Sequence, residues 1–252
     1  MEDRGLTAFQ IKGAAILAML LDHTGWLFVP TESFLGFLMH LLGRITAPVM
    51  CFFLAEGYRH THHLKQYAMR LAEFAVLSYL PYLLFSTGSF PALDSMWNWN
   101  VLYTLLLGLG ALYVWEHVIP VVPRLGFLAL LCMLATFGDW SYYIIFFTFS
   151  FYFGRGNFAR QAVYFSFAGA IWIMENFLSY FLFSPRCSAY SLRGILCGPG
   201  IQFGVFLCLP LLKCYHGVRG GGTMSGWFFY LFYPLHLIVL YAVHLLVSRI
   251  GG

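Results

Sequence analysis

Charge is scarce in this sequence. Asp, Glu, Lys and Arg together make up 10% of its 252 residues, while 60% are apolar or aromatic. A soluble domain is about a quarter charged, so a water-facing surface could not be covered here. Soluble α/β enzymes, disordered tails and secreted disulfide scaffolds are thereby excluded. The net charge of +4 offers no basic face to a phosphate backbone, which excludes nucleic-acid binding. The sequence contains no P-loop, dinucleotide fingerprint, serine-centred elbow or zinc-protease motif. No two histidines stand one helical turn apart with a carboxylate between them, so a metal site is not expected. Internal repeats and low-complexity tracts are absent as well.

What the chain does have is long apolar runs, with a mean hydropathy of +0.75. Clusters of charge, Pro and Gly divide them into Ile11–Val29, Phe34–Tyr58, Tyr67–Phe85, Val101–Ile119, Leu125–Phe137, Tyr142–Phe153, Ala162–Phe183, Ile201–Leu212 and Trp227–Val247. The reading is all-α: one polytopic transmembrane bundle of about nine helices over residues 1–252, the fifth and sixth being short for a hydrocarbon layer that takes roughly 20 residues. None of the runs alternates, so a β-barrel is not expected. The first run is too long for a cleaved signal peptide and contains Asp22 and His23.

Lys and Arg gather in alternate loops: Arg4 and Lys12, then Arg59, Lys65 and Arg70, then Arg124, Arg155 with Arg160, and Lys213 with Arg219. This bias places the amino terminus in the cytoplasm. Arg186 and Arg193 dissent, in an outer loop that also holds Cys187 and Cys197, a pair able to form a disulfide if that side is oxidising.

Ionisable groups inside apolar runs carry an insertion penalty of about 2.5–3.5 kcal/mol and call for a purpose. At 1.5 Å per residue, His23 lies about 18 Å from the inner edge, Arg44 about 15 Å from the outer, Glu175 about 20 Å and His236 about 14 Å from the inner. Four polar groups from four helices thus reach mid-membrane. His23 can take and return a proton near neutral pH. Arg44 can hold an anion or pair with a carboxylate such as Glu175. Asp22 lies about 100° round the helix from His23 and can orient it only through a neighbour.

A basic, histidine-rich stretch runs from Glu56 to Lys65 at the cytoplasmic end. It suits lipid phosphates or a polyanionic cytosolic co-substrate, with Glu56–Arg59 as a helical pair. Arg219-Gly-Gly-Gly-Thr223 on the same side reads as a flexible linker, or as a source of backbone donors. Asn98 and Asn100 could cap the fourth helix or bind an acceptor. Asp139 reads as a cap.

These residues resemble the TraX family of bacterial integral-membrane proteins, named for a conjugative-plasmid pilin acetylase. The resemblance rests on Leu21-Asp22-His23, Gly43-Arg44-Ile-Thr-Ala-Pro48, Phe52-Phe-Leu-Ala-Glu56-Gly57 and His60-Thr61. It continues through Lys65-Gln-Tyr67-Ala-Met-Arg70-Leu71, Asn100 to Gly108, Glu116, and Phe228 to His236. Family members often carry acids around the third-helix proline; here Ser78-Tyr-Leu-Pro81-Tyr-Leu83 has none.

The resemblance implies a multi-pass protein of the bacterial inner membrane that transfers an acetyl group from cytosolic acetyl-CoA to an acceptor protein, glycan or small molecule. His23 is then the expected general base, Arg44 the oxyanion or pantetheine partner, and His236 a second acid/base, with Asp22 in support. Arg59, His60, Lys65 and Arg70 are expected to hold the CoA phosphates, and Glu175, Asn100 and Asn98 the acceptor. A proton-coupled transporter using Asp22, His23 and Glu175 is the alternative reading, weakened by the lack of inverted repeats. A haem bundle with His23 and His236 as axial ligands is weaker still.

Overall fold

The computed structural model describes residues 5–88, 97–183, 191–222 and 225–250. Among them there is no strand, only helix and two isolated bridges. The helices are α1 (Ala8–Phe28), α2 (Phe34–Gly43), α3 (Thr46–His60), α4 (Leu64–Leu77), α5 (Tyr79–Thr87), α6 (Val101–His117), α7 (Val121–Ala135), α8 (Tyr143–Phe153), α9 (Phe158–Phe183), α10 (Leu192–Cys197), α11 (Cys208–Lys213) and α12 (Ser225–Ile250). A 3-10 segment, Pro199–Leu207, leads into α11. Every apolar run of the sequence is helical, so the all-α bundle is as expected.

Prolines decide where the runs break. Pro48 has no N–H to give the Arg44 carbonyl, and the second run divides just there, between α2 and α3. Pro81 likewise has none for Leu77, and α4 meets α5 at Ser78 with a 42° bend. The capping chemistry is local: Thr7 and Gln10 form a capping box on α1, and Ser33 accepts from the Gly36 N–H on α2.

Length and composition single out some of these helices as membrane spans among the described residues. Three helices, Phe34–His60, Phe158–Phe183 and Gly226–Ile250, are long and apolar enough to cross a membrane, and the bent pair α4–α5 makes a fourth. The helices α6, α7 and α8 are shorter, and α1 carries Gln10, Lys12, Asp22, His23 and Thr24 within its 21 residues. Large apolar side chains on the outside, among them Leu17, Phe34, Val122, Phe167 and Phe183, form the surface expected against lipid tails.

At the centre stands α3, packed against α1, α6, α8 and α11. Val49, Cys51, Phe52, Leu54 and Ala55 on α3 are buried, as are Ile144, Phe147 and Phe151 on α8. Phe165 of α9 closes this core, its ring 4.9 Å from that of Phe147 and 5.1 Å from that of Phe151. On the other side α12 packs on α1, α4 and α5, while α2 is held between α1 and the 3-10 segment.

Candidate active site

Helix α1 turns His23 toward α12, where Nδ1 of His23 lies 2.8 Å from Nε2 of His236. The two ring planes are parallel to within 2°. Nδ1 of His236 lies 2.9 Å from the Phe232 carbonyl, one turn back on α12. A carbonyl can only accept, so Nδ1 of His236 is protonated, and in the neutral ring its Nε2 then holds the lone pair. That lone pair accepts the Nδ1–H of His23, which leaves the lone pair of His23 on Nε2. Phe85 from α5 flanks the His23 ring at 4.8 Å, and Phe232 stacks on His236 at 4.9 Å.

One residue away, Asp22 faces α2. Its Oδ1 accepts from Nδ1 of His40 at 2.7 Å, and its Oδ2 from the Arg44 guanidinium at 2.9 Å. The Arg44 guanidinium also stands 5.3 Å above the Trp140 ring. So close an approach of α1 and α2 requires glycine at 43, where a Cβ would lie 2.2 Å from that of Asp22. Behind α2, a Cβ on Gly204 would lie 1.9 Å from the Leu41 carbonyl oxygen. His40 is fully buried, and neither its Nε2 nor the Nε of Arg44 has a partner in the described protein.

Both clusters border a cavity of about 1210 Å³. Asp22, His23, Arg44, Asp139 and Trp140 line one part, and Lys12, His60, Arg70 and Arg219 another. Eleven residues of α1 separate Lys12 from His23, about 16 Å along the axis at 1.5 Å per residue. The cavity is therefore elongated, with cations toward the α1 amino terminus and imidazole, guanidinium and carboxylate deeper in. Nε of Arg70 is buried without a partner. The Arg219–Gly222 stretch is no loose linker. It folds back onto α1, where the Ala8 and Phe9 N–H groups donate to the Val218 and Arg219 carbonyls at 2.9 and 3.0 Å. Gly220 adopts φ +65°, and a Cβ there would lie 2.7 Å from Thr7 Oγ1.

The residues expected from sequence divide between this cavity and other places. Asp22, His23 and Arg44 come together with His236 behind His23, and His60 and Arg70 line the cationic part. Glu175 does not join them: it accepts from the hydroxyls of Tyr142, at 2.9 Å, and Tyr143, and Arg44 has taken Asp22 as its carboxylate instead. Arg59 stands 5.0 Å over the Tyr152 ring, lining two smaller clefts of about 530 and 470 Å³. Lys65 lines none of the three. Glu56 accepts from Arg155, on the α8–α9 connection, at 3.1 Å rather than pairing with Arg59, and Arg155 also donates to His60 Nε2 at 2.9 Å.

Asn100 is buried and spends its side chain on structure. It accepts from the Leu102 and Tyr103 N–H groups and donates to the Ala75 carbonyl at 2.7 Å. Asn98 is exposed and lies outside the cavity. The pairing of Cys187 with Cys197 falls outside the described residues, since Cys187 is not among them. Sequence reasoning passed over His40, Asp139, Lys12 and Arg219 as site residues. His40 had a signal: with Arg44 it forms an i,i+4 polar pair inside an apolar run.

These observations define a helical membrane protein whose long cavity joins a cationic part to a hydrogen-bonded histidine pair. The model of the family described as TraX protein matches residues 8–244, and the chain belongs to that family. It is 30% identical, over 93% of its length and 94% of the relative's, to a protein of Dichelobacter nodosus described as "Probable fimbrial assembly protein FimC, serogroup H1". No solved structure matches.

Proposed function

We propose that the protein is a membrane-embedded acyltransferase that moves an acetyl group from cytosolic acetyl-CoA to an amine or hydroxyl of an acceptor. The observation that carries this reading is the direction of the hydrogen-bond chain Phe232–His236–His23, which leaves His23 Nε2 as an unprotonated base on the wall of a large cavity. In the proposed reaction Nε2 takes the proton from the acceptor as its N or O attacks the thioester carbonyl carbon. The C–S bond breaks, the thiolate leaves, and His23 returns the proton to it. Through the transfer His23 keeps its Nδ1–H, hydrogen-bonded to His236 Nε2, which spreads the imidazolium charge toward the Phe232 carbonyl.

Arg44, fixed by Asp22 and Trp140, is the candidate for the developing oxyanion. The CoA phosphates need cations, and Lys12, Arg70 and Arg219 supply them beside His60 in one part of the same cavity. The unpartnered Nε of Arg70 suits an anion there. The relative's description extends the reading to an acceptor in surface-fibre assembly, such as a pilin amino terminus, alongside glycans and small molecules. We place the protein in the bacterial inner membrane with its amino terminus in the cytoplasm.

The test is thiol release. Detergent-purified protein given acetyl-CoA and a simple amine or alcohol should liberate free CoA thiol and form the acetylated acceptor. Uptake of a solute into liposomes without CoA, and no thiol release, would replace this reading with the transporter.

A further inference from the structure

Arg59 lies in the last turn of α3, Lys213 in the last turn of α11, and Arg155 on the connection between α8 and α9. None of the three lines the large cavity; all three line the cleft of about 530 Å³ beside it. One helix long enough to cross a membrane ends at this cleft and another begins there, so it sits where two spans reach the water. By the orientation proposed above this is the cytoplasmic end. The α8–α9 connection is drawn tightly onto α9, where a Cβ on Gly154 would lie 2.5 Å from the Gln161 nitrogen. From there Arg155 reaches across to α3, donating to Glu56 at 3.1 Å and to His60 Nε2 at 2.9 Å.

Among the described residues Glu56 is the one carboxylate lining the cleft, and Arg155 engages it. Glu116 stands in the adjoining cleft, where it accepts from the hydroxyls of Tyr58, at 2.8 Å, and Tyr152. Arg59 and Lys213 have no carboxylate within salt-bridge distance among the described residues. Even with Glu116 counted, three cations from three chain segments face two carboxylates. A phosphate group, which takes charge-assisted hydrogen bonds from several cations at once, fits such a place.

What carries the phosphate is indicated by the helix that starts in the cleft. Phe158 lines it and opens α9. Below, Val163, Phe167, Ile171, Met174 and Leu178 are all exposed. Their spacing of three and four puts them on one helical face, an apolar stripe about 22 Å long at 1.5 Å per residue. A basic cleft at the head of an exposed apolar stripe is complementary to a lipid, with its charge at one end and its chains at the other.

We infer that Arg59, Arg155 and Lys213 bind the phosphate of an anionic phospholipid whose chains lie along this stripe of α9. The site is separate from the acyl-transfer reading and does not depend on it. The full-length protein is purified in a neutral detergent, and its melting temperature is followed as phosphatidylglycerol, phosphatidylcholine or soluble glycerol phosphate is added.

Phosphatidylglycerol should stabilise the wild type at concentrations roughly tenfold or more below those of the other two. Arg59→Gln and Lys213→Gln should each weaken that response roughly fivefold, the effect of one basic residue at an anionic surface. Lys65→Gln, outside the cleft, should leave it intact. Equal stabilisation by the two lipids overturns the inference, and so does an undiminished preference in both cleft variants. An equal loss in all three variants overturns it as well, since it would mark a diffuse basic surface. Glycerol phosphate as effective as phosphatidylglycerol would give the cleft to a soluble phosphate instead. Acetyl-CoA is titrated in parallel: if it has no effect while the lipid results are as stated, the acyl-donor reading falls and the lipid site stands.

Discussion

His23 and His236 meet nitrogen to nitrogen at 2.8 Å with parallel rings, and in the neutral pair the carbonyl beyond His236 fixes which nitrogen of each carries the proton. A histidine pair is usually ambiguous in this respect, because either ring can donate. Here the helix backbone removes the ambiguity, and the free base is delivered to His23.

The first prediction concerns that division of labour. His23→Ala should lower acetyl transfer by about 10²–10⁴-fold, the range for losing a general base, with the melting temperature nearly unchanged. His236→Ala should cost less and fall on kcat rather than on the KM for acetyl-CoA. His236→Gln, whose side-chain oxygen can accept from Nδ1 of His23, should recover part of the loss. Thiol-release kinetics on the three variants measure this, and equal rates for His236→Ala and wild type would remove His236 from the chain.

A second prediction separates stability from chemistry. Asp22→Ala leaves the Arg44 guanidinium buried without a counter-charge, a change that destabilises by about 3–5 kcal/mol. Asp22→Ala with Arg44→Met removes both charges and should regain most of that loss, while activity stays low. Melting temperatures of the single and double variants form the comparison. Strict additivity of the two substitutions would show that the pair is not coupled.

Much of the architecture was legible before any coordinates, and the reasons are physical. Apolar runs bounded by Pro and charge mark helices whatever their neighbours, so every run is helical, although the second and third each divide in two and α10 lies outside the runs. Depth arithmetic put His23 and Arg44 at one height, and the Arg44–Asp22 bond at 2.9 Å is consistent with it. Depth carries no azimuth, however, and Glu175 at a similar depth points to Tyr142 and Tyr143 instead. Asp139 and His40 escaped because their environment comes from distant segments: a strained turn clamped by Trp99 and Thr104 for one, and the closeness of α1 permitted by Gly43 for the other.

Two glycines make a third, paired prediction. Gly13 sits mid-helix in α1 with nothing within 4 Å of a built Cβ, so Gly13→Ala should stabilise by about 0.5–1 kcal/mol through backbone entropy. Gly43→Ala drives a methyl against Asp22 at 2.2 Å and should destabilise by about 1–3 kcal/mol or more as α1 and α2 are forced apart. Thermal unfolding in detergent reads both signs. A stabilised Gly43→Ala would mean that the two helices are not in the close contact described.

The last prediction tests which cations receive the acyl donor. Arg70 and Arg219 line the large cavity, whereas Lys65, five residues after His60 in sequence, does not. If the phosphates enter that cavity, Arg70→Gln and Arg219→Gln should each reduce the melting-temperature rise produced by acetyl-CoA, and Lys65→Gln should leave it intact. Raising the salt concentration should weaken the wild-type response, since charge-assisted contacts near the aqueous end are screened over roughly 10 Å at 0.1 M. The variants should also differ in kind: a lost phosphate partner raises the KM for acetyl-CoA with kcat little changed, because the thioester lies far from the guanidinium. A Lys65→Gln effect as large as that of Arg70→Gln would move the donor to the outer basic surface, away from the cavity in which His23 stands.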